Sequence, residues 1–266
     1  MWATYSEAVA DSMDFDTAGG SPTPEAFLSA VRPVLDFIDT SRTACVVALG
    51  QFLDLRSAPA VGPDDLAQLM LGAFEAGDVP IGPLAYTSTT PTVACSEDGG
   101  SLSAYTERSP GEIDVLEALR LEPRRVVVAG ARYGWLPGVP RASSHVMLCD
   151  LEAILIEVQV YLHRRAELLN YRGRARVTVG VHTDLPQGVT LRRLDEETGE
   201  LHPDGLRTRR FWPLSTEFAL IDPPQRTRRR SYRLATRAAR AFGASAPQLL
   251  ADPDGLRSDD LPLLAR

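Results

Sequence analysis

The sequence predicts an α+β protein: a mostly helical N-terminal region, then a long helix, an antiparallel β-meander and a basic C-terminal helix. Three patterns carry that expectation. Apolar residues recur every three or four positions in several segments, which gathers them on one helix face. Between 175 and 182, Ala175, Val177, Val179 and Val181 alternate with Arg176, Thr178, Gly180 and His182, the period of a half-buried strand. Turn residues then punctuate 184–199, so successive short strands are expected to fold back on one another.

Four regions follow: a mobile arm over 1–22, an acidic, mostly helical region over 23–123, a basic α+β region over 124–245 and a tail over 246–266. Thr23-Pro24-Glu25 is a helix start, with Phe27, Val31, Val34, Leu35 and Ile38 as its apolar face. The apolar run 44–53 reads equally as a buried strand or a second helix. Gly62-Pro63-Asp64-Asp65 opens a helix continued by Leu66, Leu69, Met70, Ala73 and Phe74. A long loop or irregular hairpin is expected over 87–109. Ser109-Pro110-Gly111-Glu112 has capping-box spacing, predicting a short helix through Ile113, Leu116 and Leu119. A strand is expected at 124–128 and a turn-rich connection over 129–140. Asp150 is expected to cap a long helix whose stripe is Leu151, Ile154, Leu155, Val158, Leu162, Ala166 and Leu169. A last helix spans 227–242 and stops at Gly243.

With 44% hydrophobic and 24% charged residues, the 266-residue chain has enough apolar content for a packed core. Every basic residue is arginine, which points to a high-GC bacterial source and removes Schiff-base and P-loop lysine chemistry. Cys45, Cys95 and Cys149 are odd in number and widely spaced, so packed thiols are expected rather than a disulfide framework or zinc ribbon. The acidic first sixteen residues lack the features of a secretory signal. Asp150, Glu152 and Glu157 interrupt the apolar stretch 146–162, so no membrane span is expected. A cytoplasmic location is the expectation.

The net charge of −7 conceals an asymmetry. Residues 1–123 hold 19 acidic side chains against 5 arginines, whereas 164–240 hold 17 arginines against 9 acids. The arginines concentrate at Arg207, Arg209 and Arg210 and in the last helix, where Arg226, Arg230, Arg233, Arg237 and Arg240 recur at helical spacing. Guanidinium groups grip phosphate and carboxylate oxygens in a two-pronged fork, so such a stripe suits an acidic partner or nucleic acid. Tyr232, Phe211 and Trp212 lie near enough in sequence to stack on bases. Two other fates fit the same pattern: a solvated or internally paired helix face, and charge-complementary contacts between the halves of a homo-oligomer.

Catalytic signatures are sparse. His182-Thr-Asp184 and His202-Pro-Asp204 each place an imidazole two residues from a carboxylate, the raw material of a hydrolase site. Both also read as turn chemistry, no third ligand has metal-site spacing, and no metal or cofactor is expected. Cys149 follows His145 by four residues, but its apolar surroundings favour a packed thiol. His163 reads as a boundary residue. No Gly-x-Ser-x-Gly, GxGxxG or Walker motif occurs. The reading is a non-catalytic binding or regulatory protein whose arginine-rich C-terminal region engages an acidic partner, with a hydrolase and an assembly protein as alternatives.

One stretch resembles a known family. Leu169-Asn170-Tyr171-Arg172-Gly173, then 177–182 (Val-Thr-Val-Gly-Val-His), then Arg240-Ala241-Phe242-Gly243 are similar to the C-terminal region of actinobacterial proteins with a Schlafen/AlbA-type ATP- or DNA-binding domain. The similarity covers 150–243. It implies an accessory domain in a nucleic-acid-associated or regulatory system.

Overall fold

The structure, a computed structural model, describes residues 22–66, 93–106, 114–133, 144–193, 207–208, 213–244 and 246–250. Its centre is a seven-stranded antiparallel sheet. The strands are β1 (Cys45–Phe52), β2 (Val93–Asp98), β3 (Ser101–Thr106), β4 (Asp114–Glu122), β5 (Arg125–Tyr133), β7 (Arg174–His182) and β10 (Leu214–Ala219). Their order is β10-β7-β1-β5-β4-β3-β2. A smaller sheet joins β6 (His145–Met147), β8 (Val189–Arg192) and β9 (Arg207–Thr208), with β6 and β8 parallel. Helix α1 (Pro24–Leu35) covers one face of the large sheet, and α2 (Leu148–Leu168) with α3 (Pro224–Ala241) covers the other.

Burial on two faces explains the apolar run at 44–53. Val46, Ala48 and Phe52 pack toward α2 and α3, while Cys45, Val47 and Leu49 pack toward Phe27, Val31, Val34 and Leu35 of α1. A strand covered on both sides needs no polar alternation, so its sequence resembles that of a buried helix. β5 behaves alike, with Val126 and Val128 on one side and Val127, Ala129 and Ala131 on the other. Two glycines let the helices approach. A Cβ on Gly50 would sit 3.2 Å from the Leu162 methyls of α2, and one on Gly180 would sit 2.5 Å from the Phe27 ring of α1.

Thr23 caps α1 as its sequence implies, its hydroxyl accepting from the Ala26 amide at 3.2 Å. At Pro63 a helical turn opens as expected; its continuation lies outside the described residues, as do the arm and most of the tail. α3 begins at Pro224 and ends before Gly243, whose φ of 79° is the left-handed stop that glycine takes without strain.

Several expectations are corrected. The region 23–123 is not mostly helical, since it supplies β1, β2, β3 and β4. Leu116 and Leu119 belong to strand β4, where pairing with β3 and β5 outweighs the local capping-box signal. Of the loop or irregular hairpin expected over 87–109, the hairpin is found: β2 and β3 pair and are turned by Gly99 and Gly100, both with positive φ. β5 continues through Tyr133, into the segment expected to be a turn-rich connection. Asp150 does not cap α2; the helix starts two residues earlier, and Met147 precedes it without a side-chain cap bond.

The meander fails for a topological reason. β7 pairs with β1 and β10 rather than with β8, because the chain leaves the large sheet at Asp184 and enters the small one. One sheet therefore draws strands from both the acidic and the basic region.

The contact between Gly180 and Phe27 gives a direct test. Gly180→Ala should lower the urea midpoint by an amount equivalent to about 1–3 kcal/mol, since a new methyl must displace a packed ring. Adding Phe27→Leu should recover part of that loss, giving less than the sum of the two single effects.

Candidate functional site

The arginines of α3 divide into two sets, and the register of β10 shows why. Leu220 donates its amide to the Gly173 carbonyl at 3.1 Å, so Leu220, Phe218, Thr216 and Leu214 turn their main-chain groups toward β7. Ser215, Glu217 and Ala219 turn theirs outward, at the edge of the sheet. α3 meets that edge. Arg230 donates to the Glu217 carbonyl at 2.8 Å, and Arg237 to the Ser215 carbonyl at 3.3 Å. The Ala219 amide donates to Asp222 Oδ2 at 3.2 Å, an atom that also accepts from Arg230 at 3.0 Å. Burial between helix and strand lowers the Arg237 pKa from its ordinary value.

The second set faces outward. Arg233 and Arg240 are exposed and form no ion pair among the described residues. Arg226 leaves 64% of its side chain exposed while touching Asp222 at 3.1 Å. Arg229 is exposed on the same face. With seven arginines and no carboxylate in its 18 residues, α3 presents an outer face of one sign. Its other face is apolar, with Leu234, Ala235, Ala238 and Ala239 buried. Tyr232 is half-buried at the border between the faces. Arg207 lies in β9, whereas Arg209, Arg210, Phe211 and Trp212 lie outside the described residues.

At the β7 end of the sheet, charges are matched closely. Glu217 receives Arg176, its cross-strand partner, and lies 3.5 Å from Arg174, which also reaches Asp54 at 3.4 Å. Fully buried Arg165 reaches Asp65 at 2.5 Å. The last two pairs join the basic half to the acidic one. The pairs of Arg226 and Arg230 with Asp222 do not, because Asp222 belongs to the basic half.

The described histidine and cysteine candidates make contacts with packed neighbours. His182 Nε2 lies 3.5 Å from Asp184 Oδ1, and Asp184 also accepts from the Thr40 hydroxyl. His202 and Asp204 lie outside the described residues, so the convergence a hydrolase requires has no described counterpart. Cys45 is buried with its thiol pushed up to about 12 by burial, which makes it a poor nucleophile. His145 lies on β6, ahead of α2, and approaches Arg192 at 3.5 Å; it does not share a helix with Cys149. His163 stacks on Phe218 with ring centroids 5.5 Å apart. Among the described residues, no cluster of three His, Cys, Asp or Glu side chains could hold a metal. No described helix is long and apolar enough to cross a membrane.

No family model, curated protein or solved structure matches this chain. The segments 169–173, 177–182 and 240–243 hold packed positions. Tyr171 folds back over Gly173, donates to the Arg174 carbonyl at 2.9 Å and accepts the Asp54 amide at 3.2 Å. Residues 177–182 form a strand between α1 and α2, and Phe242 is core.

Sequence reasoning missed an anchor of the tail. Buried Glu152 accepts the consecutive amides of Gln248, Leu249 and Leu250 at 2.6, 2.6 and 2.7 Å. Burial raises its pKa from the ordinary value, opposed by those three amides and by Arg193. A glutamate in the apolar stretch of α2 was the available signal, but nothing local identifies a partner 96–98 residues away.

His182 gives a pH test. Burial lowers its pKa from 6.5, Arg32 adds to that, and Asp184 opposes it. The folded protein thus binds this proton less readily than the unfolded chain does. The contribution of the neutral ring is complete above 6.5 and declines as pH falls through that value toward the folded pKa. Urea unfolding between pH 7.5 and 5.5 should therefore show stability dropping, and His182→Gln should flatten the decline.

Proposed function

We propose that the protein is a non-catalytic binding or regulatory module whose exposed α3 arginines engage an acidic partner, nucleic acid above all. The observation that carries this reading is the division of the arginine stripe. Arg230 and Arg237 are occupied in holding the sheet edge, yet Arg233 and Arg240 are exposed and form no ion pair among the described residues, and Arg226 is exposed beside them. Seven like charges on one short helix repel one another, a cost that a solvated face without a partner does not require. From Arg226 to Arg240 the stripe is about 21 Å long at a rise of about 1.5 Å per residue, long enough to meet several phosphates.

Fluorescence anisotropy of labelled single-stranded and duplex nucleic acid, titrated at several salt concentrations, tests the reading. Affinity should fall steeply with salt, with a logarithmic slope near −0.9 per phosphate contact on duplex or about −0.7 on a single strand. Arg233→Gln/Arg240→Gln should make the slope shallower by roughly two contacts without changing the melting temperature. Absence of binding at low salt to either nucleic acid contradicts it.

A further inference from the structure

The geometry points to a second arginine row that continues the α3 surface across the end of the large sheet, so that the binding face fits a phosphodiester polymer and not a single phosphate group; this rests on the reading of α3 given above. Adjacent strand ends line up through main-chain bonds. Leu220 donates to Gly173, Leu53 to Arg174 at 2.9 Å, and Phe52 to Arg124 at 3.1 Å. These bonds place Arg172, Arg174 and Arg124 in a row over the ends of β10, β7, β1 and β5. Asp222 and Arg226, at the start of α3, stand beside the Leu220 end of the row. Arg56 joins it where the chain leaves β1, lining an open basin of ≈ 470 Å³ with Leu53, Asp54, Leu55 and Arg124.

Among the described residues, the charge in this row is not cancelled. Arg174 is matched by Asp54 and Glu217, and Arg125 reaches Glu122 at 3.7 Å, so the carboxylates at this end already have cations. Arg56, Arg124 and Arg172 are exposed and form no ion pair among the described residues. Three strand spacings make the row about 14 Å long, and the α3 stripe adds about 21 Å. A mononucleotide or a phosphorylated side chain covers only a fraction of that length. A nucleic-acid backbone supplies phosphates along all of it, and single-stranded and duplex forms share that chemistry.

The experiment measures the salt slope for a labelled single strand and a duplex, each long enough to span both rows, on the full chain. Arg56→Gln/Arg124→Gln/Arg172→Gln should make the slope shallower by roughly two to three contacts on the preferred form, and the matching Lys variant should keep it. An unchanged melting temperature for both variants excludes misfolding as the cause. If the Gln variant keeps the parental slope while Arg233→Gln/Arg240→Gln does not, the second row is no part of the site although the α3 reading stands. A dinucleotide that binds as tightly as the long strand also overturns the inference, because the length of the row would then be irrelevant. No binding to the parent protein overturns both.

Discussion

An open sheet edge presents amides and carbonyls that must find partners, and the arrangement at β10 follows from that constraint. The outward carbonyls of Ser215 and Glu217 accept from Arg237 and Arg230, and the outward Ala219 amide donates to Asp222. A bare edge invites pairing with another chain, whereas a basic helix laid along it partners these three groups and blocks addition of a strand. Once α3 is fixed there by its apolar side and two of its arginines, Arg226, Arg229, Arg233 and Arg240 are left on the exposed side. Edge closure and the exposed basic face therefore share one cause.

Much of the fold was legible where caps, stops and apolar stripes are set within a single segment. The Thr23 cap, the α1 face, the α2 stripe and the glycine stop of α3 each depend on local chemistry, and each is found. Legibility failed where tertiary pairing decides. The run 44–53 is apolar throughout because helices cover both faces of β1, which erases the period that separates strand from helix. Leu116 and Leu119 lie behind a strong helix-start signal, but β4 is held between β3 and β5. Nothing near β8 in sequence announces that its partners are β6 and β9.

The site was legible only in composition. Helical spacing located the arginine stripe, but no local pattern separates Arg230 and Arg237 from Arg233 and Arg240, because that depends on a strand edge meeting one flank of the helix. Arg56, Arg124 and Arg172 are scattered over more than a hundred residues and become neighbours only through the ladders β10-β7-β1-β5. The acidic half contributes strands to the large sheet and two carboxylates, Asp54 and Asp65, that pair with arginines of the basic half.

The division of the stripe is tested most directly by comparing the stability of two double variants. Arg230→Ala/Arg237→Ala strips the outward carbonyls of their donors and should cost about 1–3 kcal/mol in urea unfolding. Arg233→Ala/Arg240→Ala removes solvated side chains and should stay within about 0.5 kcal/mol of the parent. Equal losses in the two variants, or a larger loss in the second, would contradict the division of structural and exposed arginines on which this account of α3 rests.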